Sequence, residues 1–156
     1  MPDPVRVEII ALLPTQAGCA VFLGNGDKVM LFYIDPAIGM AINTVMSGQQ
    51  MPRPLTHDLY MLTLQAFGSK VTRVLINAVD GDVYYARLFL TAENEIMERK
   101  FIEIDARPSD CLAIATRAEA PIFVAKDVWD AAEDRSQILE EMQNEQDPDD
   151  DLKLEE

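Results

Sequence analysis

The residue types able to do chemistry concentrate in two short segments, Arg53-Pro54-Leu55-Thr56-His57-Asp58 and Asp105-Ala106-Arg107-Pro108-Ser109-Asp110. Each places arginine, proline and acidic side chains at the expected entrance to a helix, and the first holds the single histidine of the chain. A helix N-terminus presents free N–H groups and partial positive charge, so an oxyanion is favoured there. An adjacent arginine fork can hold a phosphate through two parallel hydrogen bonds. Arg53 and Arg107 are thus the candidate phosphate clamps, with Ser109 beside them as a substrate-binding hydroxyl. Asp58, Asp105 and Asp110, with Glu103 nearby in sequence, are the hard oxygen donors that a divalent cation such as magnesium or manganese prefers. His57 is the proton-transfer candidate. Together these are the parts of metal-assisted phosphodiester hydrolysis, with His57, Asp58 and Asp110 as the catalytic set and Asp105 and Asp110 as the metal ligands.

The same residues have a structural reading of equal standing. Thr56, Asp58, Ser109 and Asp110 are types that routinely cap helices, each cap being worth about 1 kcal/mol. Arg53 or Arg107 can pair with Asp105 or Asp110 to neutralise charge beneath a sheet. Tyr84 and Tyr85, adjacent on a strand, read as one core and one surface residue. Asn25-Gly26 and Asp80-Gly81 are turn chemistry, and neither the Walker nor the dinucleotide glycine pattern occurs.

Elements that must position these segments follow from the hydrophobic pattern. Val5 to Leu13, Cys19 to Leu23 and Lys28 to Ile34 read as strands, the last two joined by a tight Gly24-Asn25-Gly26-Asp27 turn. Pro36 to Met46 has helical spacing, with Pro36 in a first position and Gly48 as the stop. A second helix begins at Thr56 with Thr56 as cap, carries Leu59, Leu62 and Ala66 as its apolar stripe, and ends at Gly68. Lys70 to Val79, Val83 to Thr91 and Met97 to Ile104 are further strands. Pro108 to Ala118 is apolar nearly all round, the mark of a buried helix. Pro121 to Ala125 reads as a short inner strand, and Asp127 to Gln146 as helix in one or two pieces with Trp129, Ile138, Leu139 and Met142 inward. Mostly antiparallel β-hairpins packed with three to four helices are expected.

Length, charge and cysteine usage bound the function. The 156 residues suffice for one domain with a real core. The expected divisions are residues 1–132 as the domain, 133–146 as a helical extension and 147–156 as an acidic disordered tail. The net charge of -14 is uneven, because 11 acidic and 2 basic residues lie from Glu133 onward, leaving -5 for the rest. Such a balance argues against passive nucleic-acid binding while permitting an enzyme that meets phosphate locally. Cys19 and Cys111 sit in apolar runs without metal or disulfide spacing, which favours a reducing compartment. The absence of a leader pattern and of a membrane-length apolar run makes the cytoplasm the expected location.

An internal similarity adds a hint. Hairpin, Ile34-Asp35, then Pro36 to Ile42 can be laid over hairpin, Ile104-Asp105, two extra residues, then Pro108 to Ile114. Arg107, Ser109 and Asp110 have no polar counterpart in the first copy, so their presence favours a local site over a general folding need.

The stretch Arg53-Pro-Leu-Thr-His57-Asp58-Leu, the Val74-x-Ile76 and Tyr84-x-Ala86 strands, Ile104-Asp-Ala-Arg-Pro-Ser-Asp110-Cys-Leu-Ala-Ile, and Ala120-Pro-Ile-Phe-Val resemble the bifunctional nuclease domain family. The resemblance runs in order over about residues 5 to 132. It implies a single α+β domain, a tendency to form homo-oligomers, and nuclease activity with DNA or RNA as substrate. Some members continue into a helical interaction domain resembling part of an excision-repair protein, a place taken here by the acidic segment after Glu133. The alternative function is a non-catalytic oligomeric binding or regulatory module in which the Arg, His and Asp groups form a structural network or hold a small anion.

Overall fold

A computed structural model describes residues 2–146 of the chain. The acidic tail expected over residues 147–156 lies outside the described residues. The elements are β1 (Val5–Thr15), β2 (Gly18–Gly24), β3 (Val29–Ile34), α1 (Pro36–Met46), α2 (Thr56–Ala66), β4 (Ser69–Asp80), β5 (Val83–Glu93), β6 (Arg99–Ala106), α3 (Pro108–Ala118), β7 (Ile122–Val124), α4 (Lys126–Ala131) and α5 (Ser136–Gln146). One sheet of seven strands runs in the order β3-β2-β1-β7-β4-β5-β6. Among the described residues only the β4–β7 pair is parallel, so the architecture is α+β with a mostly antiparallel sheet. Among the described residues five helices, against the three to four expected, pack on it; the C-terminal segment expected as helix in one or two pieces forms two, α4 and α5, joined by a short loop.

Sequence explains the two halves. β1-β2-β3 and β4-β5-β6 are three-stranded meanders, the first centred on β2, a continuous apolar run buried on both faces, the second on the alternating apolar residues of β4 and β5, and each is followed by a proline-led helix, α1 or α3. Tight turns at Gly26 and Gly81 use the positive φ, +96° and +61°, that glycine adopts without a Cβ clash. The similarity noted between the Pro36 and Pro108 segments therefore extends to whole meander-plus-helix units, and α1 packs against α3. β7 fills the seam between the units, antiparallel to β1 and parallel to β4.

The core lies between the sheet and the layer of α1, α2 and α3. Val21 and Leu23 of β2, Val74 and Ile76 of β4, Ala86 and Leu88 of β5 and Cys111 to Ala115 of α3 are all buried there. Five consecutive buried residues in α3 fulfil the expectation of a helix apolar nearly all round. Tyr84 joins this core against Phe32, while Tyr85 points away and is exposed. Trp129 is buried in it as well. On the opposite face of the β3-β2-β1 half, Ala20 and Phe22 meet Leu139 and Met142 of α5 in a second, smaller cluster.

Helix α2 departs from expectation in two ways. Thr56 is its first helical residue and caps nothing; Leu55, in extended geometry, precedes it. The apolar stripe is also rotated: Leu59 and Leu62 are exposed, and Tyr60, Met61 and Leu64 pack against the core. The cause is polar. His57 and Asp58 both reach partners on α3, so the inward face of α2 runs His57, Tyr60, Met61, Leu64 at helical spacing.

Candidate functional site

The entrances of α2 and α3 meet. Proline at residue 108 holds Arg107 extended, and the helix then starts with Asp110 in its first turn. Pro52 and Pro54 stiffen the approach to α2, which puts His57 and Asp58 in the first turn there. Asp110 stands between the other two groups. Its Oδ1 lies 2.9 Å from His57 Nε2, and its Oδ2 accepts from Arg107 Nε at 2.8 Å. An ionised carboxylate only accepts, so Nε2 carries the proton and Nδ1 is the basic nitrogen of the neutral ring.

Exposure falls along this relay from Arg107, 69% exposed at the side chain, through Asp110 at 28% to His57 at 12%. Burial alone would raise the Asp110 carboxyl, but the hydrogen bonds from Arg107 and His57 and their charge outweigh it and hold the carboxyl below its ordinary range. The same hydrogen bond from Arg107 to Asp110 raises the guanidinium further above its already high value. Asp110 is therefore a carboxylate at neutral pH, fixed at both oxygens.

A second pair lies beside the first. Asp58 Oδ2 accepts from the Leu55 N–H at 2.8 Å, and Oδ1 accepts from Arg117 Nε at 2.7 Å. Arg117 is only 6% exposed at its side chain and also donates from Nη1 to the Ala113 carbonyl at 3.0 Å. Its Nη2 has no hydrogen-bond partner among the described residues. Burial would raise Asp58, yet the Leu55 N–H, then Arg117, bring its carboxyl below the usual value. Of the residues considered as helix caps, Asp58 accepts a backbone N–H at a helix entrance.

Arg53 does not reach Asp110. It is exposed on the loop before α2 and borders a cavity of about 560 Å³ with Asp58, Arg117, Met61 and Gln65. Ser109 is buried at the start of α3, and with Arg107 it lines a separate depression of about 740 Å³ whose other walls include Asp35, Tyr84 and Arg135. Asp105 is exposed near the end of β6, opposite Arg87 in register. Glu103 lies on the same strand, 3.8 Å from Arg87.

These placements decide how well a divalent cation fits. Among the described residues no three His, Cys, Asp or Glu side chains converge. Both Asp110 oxygens already hold donors, Asp58 accepts from the Leu55 N–H and from Arg117, and Asp105 stands apart on β6 opposite Arg87. The donor set does not form a cation site made by protein alone.

Arg117, Arg135 and Asp35 escaped the sequence reading. Arg117 had a signal: it lies seven residues after Asp110, on the same face of α3, where His57 and Asp58 arrive. Asp35 had one too, since it precedes Pro36 and accepts from the Ala37 N–H at 2.8 Å to cap α1. Arg135 had none, because the loop that brings it to the depression follows α4 and is held by its N–H on the Val29 carbonyl at 2.8 Å.

Two free cysteines, Cys19 and Cys111, are buried. Burial pushes the Cys111 thiol up to about 12, so it is inert as a nucleophile. No helix among the described residues is long and apolar enough to cross a membrane.

Residues 21–137 match the family described as the bifunctional nuclease domain. Among individual proteins, an uncharacterised protein of Mycobacterium tuberculosis is 36% identical over 104 residues, 67% of this chain and 58% of that protein. Bifunctional nuclease 1 of Oryza sativa subsp. indica is 33% identical over 75 residues, 48% of this chain and 22% of its own length. The bifunctional nuclease of Oryza minuta matches with the same figures. The aligned stretch thus spans less than two thirds of each of these relatives.

Proposed function

Because the chain belongs to the bifunctional nuclease domain family, we propose that it hydrolyses phosphodiester bonds in DNA or RNA at the paired entrances of α2 and α3. The observation that carries this reading is Asp110, which holds His57 with one oxygen and Arg107 with the other. Arg107 and the free N–H groups of the first turn of α3 receive the phosphate, with the Ser109 hydroxyl beside them. His57 takes the proton of the attacking water at Nδ1, the nitrogen that Asp110 leaves unengaged, and Asp110 stabilises the imidazolium that forms. The water oxygen bonds to phosphorus, the P–O bond to the leaving sugar oxygen breaks, and the departing oxygen takes the proton held by the His57 imidazolium, through water, which returns His57 to its neutral form.

No step is assigned to a cation. Magnesium keeps several waters and is often bound by one or two carboxylates plus substrate phosphates, so any cation used here arrives with the nucleic acid. The same reading places the protein in the reducing cytoplasm, supported by its two free, buried cysteines. It also includes self-association, supported by the exposed Leu59, Leu62 and Phe67 on and just after α2.

The second reading is a binding or regulatory module in which the same groups lock α2 onto α3. The small exposure of His57 and the saturation of both Asp110 oxygens favour it. His57→Ala, Arg107→Ala and Asp110→Asn separate the two. Each is compared with the parent for folding and for cleavage of single- and double-stranded DNA and RNA with magnesium, manganese or EDTA. The nuclease reading expects cleavage to fall roughly 10²–10⁴-fold for His57→Ala with folding retained. Loss of folding, or no cleavage by the parent with either metal, gives the site to the structural network.

A further inference from the structure

The face of the sheet turned away from α1, α2 and α3 is covered by α5 only over the β3-β2-β1 half. Over β4, β5 and β6, among the described residues, the hollow at Arg73, Phe89 and Phe101 is lined by sheet residues alone. Alternation settles which side chains stand there: Val71, Val74, Ile76, Ala86, Leu88 and Leu90 are buried inward, so Arg73, Arg87, Phe89 and Thr91 face outward. A register shift between Val71 and Arg73 lets Arg73 stand opposite Phe89, its guanidinium carbon 4.1 Å from the ring centroid. Phe101, opposite Thr91 on the edge strand β6, is 79% exposed. Between Arg73, Phe89 and Phe101 lies a cavity of about 460 Å³, completed by Thr72, Thr91 and Glu103.

We propose that this slot takes an unpaired base of single-stranded DNA or RNA, which gives the domain a grip on its substrate apart from the His57–Asp110 pair. The proposal rests on the nuclease reading for the identity of the polymer, and on the slot itself for the single strand. Phe101 offers a flat, exposed apolar face, and base–aromatic stacking tolerates any base. Arg73 supplies a cation held over the Phe89 ring, while Glu103 and the two threonines accept from the exocyclic amines of a base edge. In a duplex every base is stacked and paired, so only an unpaired one can enter. Charge agrees with this occupant: in a chain of net charge -14, the outward face carries Lys70, Arg73 and Arg87 against Glu103 and Asp105. From Phe101 the strand β6 leads along the sheet edge to Arg107, roughly 20 Å for six extended residues. A strand seated at the slot can therefore follow that edge to the phosphate clamp.

The test uses the full chain and fluorescein-labelled oligonucleotides, single-stranded and annealed as a blunt-ended two-strand duplex, with binding read by anisotropy in EDTA for the parent and for His57→Ala. Single strands are expected to bind more tightly than the duplex in both proteins. Phe101→Ala weakens that binding roughly five- to 150-fold, and Phe101→Trp restores it, since the residue is exposed and folding does not depend on it. Phe101→Ala leaves unchanged the hydrolysis of bis(p-nitrophenyl) phosphate, a diester without a base. Equal binding of duplex and single strand overturns the proposal, as does parent-like binding by Phe101→Ala. Conversion of a dimer to a monomer by Phe101→Ala without loss of oligonucleotide binding also overturns it, assigning the face to a second copy. A parent that binds single strands through Phe101 but cuts neither DNA nor RNA keeps the slot and removes the nuclease reading. Cleavage that persists with Phe101→Ala binding unaltered does the reverse.

Discussion

Arg117, in the last turn of α3, donates from Nε to Asp58, in the first turn of α2, at 2.7 Å, and the two partners are buried to very different degrees. The Arg117 side chain is 6% exposed and the Asp58 side chain 35% exposed. Helix α2 has no fully buried residue, so its position depends on this pair, on His57–Asp110 and on the half-buried Tyr60, Met61 and Leu64.

That asymmetry sets the order of two substitutions. Asp58→Ala strands a buried guanidinium, for which loss of one partner typically costs about 3–5 kcal/mol. It also frees the Leu55 N–H. Arg117→Ala leaves a carboxylate that water reaches and that retains its backbone donor, so the expected loss is smaller. Urea denaturation monitored by far-UV circular dichroism gives both values. Equal losses, or a larger one for Arg117→Ala, mean that the aliphatic stem of Arg117 and not its charge holds α2 in place.

Acid stability has a predictable sign. Asp58 and Asp110 both have folded-state values below their ordinary range. A carboxyl that holds its proton less tightly when folded makes the unfolded chain bind more protons as the pH drops. Their contribution is complete above the unfolded value of about 4 and is lost as the pH falls through the lower folded values. Asp110→Asn is expected to lower stability at neutral pH and to flatten the decline below about pH 4 relative to the parent. Urea midpoints at a series of pH values check this, and an acid limb as steep as the parent's places the linkage elsewhere.

Element positions were legible where a local rule matched the tertiary one. Pro36–Met46 and Pro108–Ala118 begin at their prolines, and α1 ends just before Gly48, whereas α3 ends on Glu119 in the left-handed region, where no glycine marks the stop. α2 was legible as a helix but not in its facing, because its apolar residues, counted alone, favour Leu59 and Leu62. The deciding contacts are polar and come from α3, more than 50 residues later. The candidate site divides the same way. His57, Arg107 and Asp110 were recognisable by type and do converge, whereas Arg53 and Asp105 sit at comparable sequence positions and are carried elsewhere by the loop before α2 and the end of β6. Charge balance over the whole chain likewise concealed a local face, since Arg73 and Arg87 share one side of the sheet only through strand pairing.

The close approach of α1 to β2 makes the last prediction. Gly39 lies buried in α1, and a Cβ built there would fall 2.6 Å from the Cys19 sulfur and 2.7 Å from the Cys19 Cβ. Alanine is the better helix former, by about 1 kcal/mol. Steric overlap with Cys19 is expected to outweigh that gain, since overpacking a well-filled core costs typically about 1–3 kcal/mol. Both clashing atoms belong to one side chain, so a second change can relieve them together. Gly39→Ala should lower the thermal midpoint, and adding Cys19→Gly should make the alanine less harmful than it is in the parent background, giving a favourable coupling in a double-mutant cycle. Cys19→Ala should relieve less, because it keeps the Cβ. Additive losses across the cycle would mean that α1 shifts to admit the methyl group, and that the α1–β2 spacing is not set by Cys19.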